Sequence, residues 1–192
     1  MMTSPRKRAW IIAAASVALV MVAGALVLFK PWLLFVDVRV NDEIPVAAPI
    51  DSPGPGASPP AGAPTPTANP PVEPETAVHI AEGSLISHEH ATTGTVRIIT
   101  QPDGTRVLTL ENLDTTNGPD VHVWLSAADV VEGTDGWYTA GSADYFDLGL
   151  IKGNQGNQVY EIPAEVDLSQ YKSVDLWCVQ FGVSFGAAQL NF

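Results

Sequence analysis

Residues 121–126 read Val-His-Val-Trp-Leu-Ser, and this stretch decides how the C-terminal part of the chain folds. The side chains of Val121, Val123 and Leu125 lie on one face of an extended backbone, and the residues between them lie on the other. Such alternation predicts a β-strand. One face of this strand is therefore expected to pack against a hydrophobic core.

Other segments with the character of short strands flank this one. Turn residues such as 102–104 (Pro-Asp-Gly) separate them, and residues 152–156 have the composition of a hairpin loop. Residues 174–181 are apolar on both faces except for Asp175 and Gln180, which predicts a central strand covered on both sides. The other predicted strands are residues 96–99, 107–110, 146–151, 159–162 and a last strand ending at Phe192.

The spacing of these strands predicts the fold class. This part of the chain has no convincing run of helical period, and successive short strands are typical of sandwiches and barrels. We therefore predict an all-β domain over residues 76–192, built as an antiparallel β-sandwich or a barrel-like sheet. A domain of this size can bury its own hydrophobic core.

A long apolar segment precedes this domain. Arg6, Lys7 and Arg8 come directly before residues 9–29, which carry no charge. At about 1.5 Å per residue, these residues span roughly 31 Å as a helix, close to the ~30 Å of a bilayer core. We predict a basic cytoplasmic tail over residues 1–8 and a single transmembrane helix over residues 9–29.

The basic residues also predict the orientation of this helix. The positive-inside rule places the N-terminus in the cytoplasm and the C-terminal domain outside the cell membrane. A cleaved signal peptide is the alternative, because residues 23–25 (Ala-Gly-Ala) form a small-residue cleavage site. Both interpretations export the domain.

A proline-rich stretch connects the helix to the domain. Eleven prolines lie between Pro45 and Pro74. Proline fixes φ and lacks an N–H donor, so we expect this stretch neither to pair as a sheet nor to continue a helix. Residues 30–75 are therefore predicted to be a Pro/Ala/Gly-rich, disordered extracytoplasmic linker. It would be either a spacer that holds the domain off the bilayer or a connection without a tuned length.

The charge of the chain limits its partners. The formal net charge is −12, and from residue 76 onward four Lys and Arg stand against fifteen Asp and Glu. So acidic a domain repels phosphate backbones and anionic lipid headgroups, which excludes nucleic acid as a partner and predicts a domain that stands off the membrane.

Five motifs occur in order along the domain: residues 90–94 (His-Ala-Thr-Thr-Gly), 117–125 (Asn-Gly-Pro-Asp-Val-His-Val-Trp-Leu), 148–153 (Leu-Gly-Leu-Ile-Lys-Gly), 174–178 (Val-Asp-Leu-Trp-Cys) and 185–188 (Phe-Gly-Ala-Ala). As a set they resemble the DM-thirteen domain, also labelled the electron-transfer DM domain, over about residues 80–192. The residues that carry the resemblance are Gly94, Gly118, Pro119, Asp120, Gly149, Lys152, Gly153, Tyr160, Trp177, Cys178 and Gly186.

The resemblance implies a compact β-domain exposed outside the cytoplasm and, in bacteria, tethered to the membrane. It also implies a redox role for the cysteine of a Trp-Cys pair, which is Trp177-Cys178 here. Cys178 is the only cysteine in the chain, so it cannot form an intramolecular disulfide. It would ligate a cofactor, form a mixed disulfide with a partner, or serve as a core residue.

The surroundings of Cys178 bear on this choice. A reactive thiolate needs a nearby positive charge or a helix N-terminus, whereas Cys178 is expected in a strand of an acidic domain. Buried cysteine is also common as a small hydrophobic residue. The sequence therefore leaves a functional thiol and a core residue as open alternatives.

Haem is the candidate cofactor, with Cys178 as ligand and Trp177 beside it. Together with Trp177, the side chains of Trp124, Phe181 and Phe185 could form an apolar rim, although ordinary core packing is the favoured explanation of these aromatic residues. His122 and His90 are weaker candidates for cofactor contact. The sequence has no Cys-x-x-Cys-His motif, which excludes covalent c-type haem.

No metal site is predicted. His88 and His90 would face the same way on a strand and could chelate a metal together with His122, but no ligand spacing requires it. No His or Met follows Cys178, which excludes a blue-copper site. Residues 182–186 match the G-x-S-x-G pattern of hydrolases but lack a following helix, acid and histidine. Asp120 is expected to hold its turn by bonding backbone amides.

Two functions follow from these observations. The first is a redox or electron-transfer accessory module outside the membrane, centred on Cys178 and serving an envelope redox protein. The alternative is a non-enzymatic module that binds a cell-wall component or supports the envelope, with Cys178 in its core. No nucleophile, base and orienting residue converge in the sequence, so a hydrolase is not predicted.

Overall fold

The computed structural model of the chain describes residues 5–45, 47–48 and 77–192. Within these residues it has one α-helix, α1 (Pro5–Phe29), and short 3₁₀ helices at Pro31–Phe35, Thr134–Tyr138, Ala140–Ser142 and Leu168–Gln170. The strands are β1 (Arg39–Asn41), β2 (Ala47–Ala48), β3 (Ala77–Ser87), β4 (Thr93–Thr100), β5 (Arg106–Asp114), β6 (Val121–Ser126), β7 (Tyr145–Leu150), β8 (Gln155–Ile162), β9 (Ser173–Cys178) and β10 (Val183–Gln189).

The strands form one curled sheet, a half-barrel, in the order β1-β8-β5-β4-β3-β10-β9-β6-β7, with β2 beside β3. This arrangement confirms the all-β prediction and its barrel-like form. Every strand pair within residues 77–192 is antiparallel. The sheet as a whole is mixed, because β1 pairs with β8 and β2 pairs with β3 in parallel. The prediction of a purely antiparallel sheet is therefore wrong.

The core fills the inside of the curl. Val121, Val123 and Leu125 are fully buried there, which confirms the alternation of β6. Burial of this apolar surface is the main free-energy term that favours folding. Just after β7, the backbone N–H of Lys152 donates hydrogen bonds to Oε1 of Gln158 at 2.9 Å and to the hydroxyl of Tyr160 at 3.1 Å. Side chains of β8 thus contact the chain at the end of β7.

The N-terminal helix is confirmed as an element. Ala9–Phe29 is apolar and long enough to cross a membrane, with a mean hydropathy of 2.7. Residues 1–4 of the predicted basic tail lie outside the described residues.

The prediction that residues 30–75 are wholly disordered is wrong at two places, because β1 and β2 lie within them. Val38 and Val40 approach Gly153 and Gly156 so closely that a Cβ at either glycine would collide with the backbone of the linker. Backbone hydrogen bonds to neighbouring strands hold β1 and β2 in the sheet despite the nearby prolines. Only residues 30–38 separate α1 from β1, and residues 49–76 lie outside the described residues.

Candidate functional site

Cys178 ends strand β9 and faces the core. Its Cα partners are Val121 of β6 and Val183 of β10, and its side chain is fully buried. Burial raises the pKa of the Cys178 thiol, and the backbone amides of Phe181 and Gln180 act in the opposite direction. A buried thiol that stays protonated is a poor nucleophile and a poor partner for disulfide exchange.

Trp177 faces the opposite side of the sheet from Cys178. Its ring stacks on Trp124 at 5.1 Å between centroids, and Trp124 stacks on Tyr145 at 3.6 Å. Both tryptophans are nearly buried, whereas Tyr145 is 48 % exposed. The three rings form an aromatic stack that leads from solvent to the outer face of β9.

Residues 127–142, which we call the cover segment, help to bury this outer face. A Cβ placed on Gly141 would lie 2.6 Å from the Trp177 ring, so the segment contacts the indole directly. Ala140 belongs to the same buried cluster as the two tryptophans.

Asp175 lies on the outer face of β9 and is almost fully buried. Burial raises the pKa of its carboxyl group to about 7, and the carboxyl group lies within hydrogen-bonding reach of Ser184. One carboxyl oxygen, Oδ1, has no hydrogen-bond partner, and neither does Nε1 of its cross-strand neighbour Trp124. An uncompensated buried carboxylate is costly, which favours the protonated acid.

His88 extends this polar group toward the cover segment. Its Nδ1 lies 2.7 Å from Oγ of Ser184, and its Nε2 lies 3.1 Å from the carbonyl oxygen of Val131. A carbonyl oxygen can only accept a hydrogen bond, so Nε2–H of His88 donates to Val131. In the neutral ring, Nδ1 then accepts a hydrogen bond from the Ser184 hydroxyl. The hydroxyl oxygen of Ser184 can then only accept a hydrogen bond from Asp175, which is consistent with a protonated acid. Burial lowers the pKa of His88 and keeps it neutral.

A second feature is a cleft of about 420 Å³, which we call the aromatic cleft. The walls include Trp137, Tyr138, Phe181 and Phe185. Its polar lining includes Glu89, His90 and Asn117, and Gly118, Pro119 and Val183 complete it. Cys178 does not line it.

The family model described as "Electron transfer DM13" matches residues 84–190, more than half of the chain. The chain belongs to the DM13 family. Comparison with curated proteins and with solved structures gave no match. The DM13 match begins within β3 and ends after β10, so α1, β1 and β2 lie outside it.

The DM13 motif residues lie at several separate places. Gly118 is pressed against Phe185, and a Cβ there would lie 2.8 Å from the ring. A Cβ on Gly186 would likewise lie 2.6 Å from the backbone oxygen of Ile86 and 2.7 Å from the side chain of Thr92. At these two positions close packing requires glycine. Gly94 lies on β4 and Gly149 on β7, both with positive φ.

A second group of motif residues joins the DM13 domain to the linker. Nζ of Lys152 lies 2.5 Å from Oδ2 of Asp42 and 5.2 Å from the centroid of the Tyr160 ring. Gly153 lies directly under Val38. These contacts are structural and lie apart from the aromatic stack.

The predicted cofactor residues do not converge. Cys178 faces the core, whereas Trp177 and its cross-strand neighbour His122 lie on the outer face. His90 lines the aromatic cleft, where its ring packs on Phe185 at 3.8 Å between centroids. Because the sulfur is sealed in the core, these residues do not fit haem ligation by Cys178.

His122 is held by two carboxylates. Its Nδ1 lies 2.8 Å from Asp147 and its Nε2 lies 3.2 Å from Asp120. Asp120 thus bonds a side chain where backbone amides were expected. Across residues 5–45, 47–48 and 77–192, no three His, Cys, Asp or Glu side chains are grouped as a metal site.

Sequence reasoning missed Asp175 and Ser184 as site residues, and it considered His88 only as a metal ligand. A single acid within an otherwise apolar strand was the available signal for Asp175. Ser184 belongs to the G-x-S-x-G pattern, but it lies buried on β10 and is not exposed on an elbow. His88 and Ser184 are 96 residues apart, and only the pairing of β3 with β10 brings them together.

Proposed function

We propose that this chain is a membrane-anchored accessory protein of electron transfer whose DM13 domain lies on the extracytoplasmic side. The electron-transfer description of the family supports the first part. The apolar helix Ala9–Phe29 and the basic residues before it support the anchor and its orientation. The partner is an envelope redox protein.

The aromatic stack is the observation that carries this proposal. Phenol and indole rings lose single electrons more readily than most side chains, and rings in contact can exchange them. A one-electron oxidant, the oxidised form of the partner, removes one electron from Tyr145. The phenolic proton passes to solvent at the exposed edge of the ring. A reductant returns the electron, and solvent returns the proton.

Cys178 has a supporting role in this proposal. Its burial and its raised pKa disfavour thiolate chemistry, so we assign the redox step to Tyr145, Trp124 and Trp177. Cys178 packs in the core and directly follows Trp177, the last ring of the stack, in the sequence.

Flash photo-oxidation of the full chain in nanodiscs tests this proposal. A soluble ruthenium polypyridyl complex with an irreversible electron acceptor serves as oxidant, and transient absorption follows Tyr and Trp radicals. We expect Trp124→Phe to reduce radical transfer along the stack by about tenfold. Trp32→Phe, next to α1, is the matched control and should leave it unchanged. Equal kinetics in both variants would rule out the stack.

The burial of Cys178 favours a second candidate, a binding or structural module of the envelope with this cysteine in its core. The photo-oxidation kinetics separate the two candidates, because Cys178 resists thiol labelling in the folded protein under both. The second candidate requires that Trp124→Phe leaves the photo-oxidation kinetics unchanged, whereas the first requires that it slows them.

A further inference from the structure

The aromatic cleft has the dimensions and lining of a small-molecule site. Its volume of about 420 Å³ falls within the usual range for ligand pockets, roughly 300–1,000 Å³. Two rings of the cover segment, Trp137 and Tyr138, line it together with Phe181 and Phe185. A flat ring bound there would gain contacts with several aromatic side chains.

A polar pair lies at one side of these rings. Nε2 of His90 lies 2.5 Å from Oε2 of Glu89, and both side chains keep part of their surface open. Burial lowers the pKa of His90, opposed by the charge of Glu89. The pair can therefore accept a hydrogen bond from a ligand hydroxyl through Glu89, whereas neutral His90 donates its N–H to Glu89. The side-chain amide of Asn117, which also lines the cleft, donates one N–H to Val36 and has a second for a ligand carbonyl.

The charge of the lining disfavours anionic ligands. Glu89 is the acid in the aromatic cleft, no Lys or Arg among the described residues lines it, and the surrounding domain is strongly acidic. Phosphate and carboxylate groups would meet repulsion without a cationic partner. A neutral ring that carries hydroxyl or carbonyl groups fits both the walls and the charge.

The aromatic cleft also adjoins the apolar helix. Phe181 forms one of its walls and is stacked on Phe29, the last residue of α1, with 6.2 Å between ring centroids. The side chain of Gln180 donates a hydrogen bond of 3.2 Å to the carbonyl of Leu28. The DM13 domain therefore contacts the end of α1, contrary to the expectation that it stands away from this segment. A hydrophobic tail could therefore leave the cleft past Phe181 and run along α1.

We propose that the aromatic cleft binds the ring of a quinol or quinone that enters from the bilayer. The ring would lie between Phe181 and the cover segment, with one hydroxyl donating to Glu89 and the tail along α1. The inference rests on the proposed function, because a quinol is a membrane-borne carrier of electrons.

Photo-crosslinking tests the site with the full chain in nanodiscs. The probe is an azido-quinone with a ten-carbon tail, and adducts are mapped by mass spectrometry. We expect adducts at residues 137–138 and 181–185 that an excess of unlabelled decyl-quinol suppresses. Phe181→Ala should lower their yield about tenfold. Phe192→Ala is the matched control, because Phe192 is at least as exposed and does not line the cleft.

Three outcomes overturn the inference. Adducts confined to α1, or adducts that decyl-quinol does not suppress, show that the cleft is not a quinol site. Equal labelling by a tail-free azido-quinone, with the same loss in Phe181→Ala, identifies a soluble phenol as the source and excludes the bilayer. Glu89→Gln is the second variant and should weaken competition by the quinol more than competition by the quinone. Crosslinking needs no electron transfer, so its failure would leave the photo-oxidation result standing.

Discussion

The two faces of strand β9 are equally buried but carry different chemistry. Val174, Leu176 and Cys178 face the interior of the curled sheet and contact apolar side chains. Asp175 and Trp177 face outward and are buried with the help of the cover segment. The inner face is sealed by the curl itself, whereas the outer face depends on one added layer. Groups that can ionise or lose electrons are thus placed where a single segment controls their access to water.

The largest expected effect concerns the outer face. The folded-state pKa of Asp175, about 7, lies above its ordinary value of 3.8, so folding favours the protonated acid. The contribution of Asp175 to the free energy of unfolding is therefore greatest below pH 4 and declines as the pH rises to about 7, by on the order of 4 kcal/mol. Asp175→Asn should remove this decline. Urea denaturation of both proteins from pH 4 to pH 8 measures the difference.

A constant difference between wild type and Asp175→Asn across this range would contradict a protonated Asp175. Folding also lowers the pKa of His88, so His88 adds its own pH dependence to the free energy of unfolding. A second series in a His88→Gln background therefore serves as the control.

The next largest effect concerns the inner face. Leu176 is fully buried, and Leu176→Ala should cost about 3 kcal/mol through lost burial and a residual cavity. This cost should be the same at pH 4 and pH 7, because Cys178 and Tyr160 of the same core cluster have raised pKa values and stay protonated across this range. A pH-dependent cost would mean that the two faces are coupled through the strand.

The smallest effect concerns the contact between the cover segment and the stack. Gly141→Ala places a Cβ 2.6 Å from Trp177, and overpacking of this kind costs about 1–2 kcal/mol where a surface segment can shift. We expect a red shift of tryptophan emission as water reaches the ring. Ser142→Ala changes the exposed neighbour and should alter neither quantity. An unchanged emission spectrum in Gly141→Ala would show that the segment does not seal the outer face.

Much of the fold could be predicted from local pattern. The alternation in residues 121–126 gave the two faces of β6, and the uncharged run in residues 9–29 gave the helix. The order of the motifs gave the family. Each of these signals lies within a short stretch of chain, which is why the sequence alone carries them.

The site could not be predicted in the same way. The triplet of Asp175, Ser184 and His88 depends on strand pairing and on the irregular register of β10 between Ser184 and Gly186. The sequence also placed Cys178 at the centre of the chemistry, because it cannot report that this side chain faces inward. Strands β1 and β2 escaped prediction because two or three residues have no measurable period.

The pairing of β1 and β2 has a consequence for proteolysis. Ala47 and Ala77 are neighbours across parallel strands, so the chain leaves the sheet after residue 48 and rejoins it at an adjacent point. One cut within residues 49–76 would break the covalent link without separating the ends. The helix-bearing fragment would keep β1 beside β8 and Asp42 beside Lys152. The domain would then separate from the helix only after the two fragments dissociate.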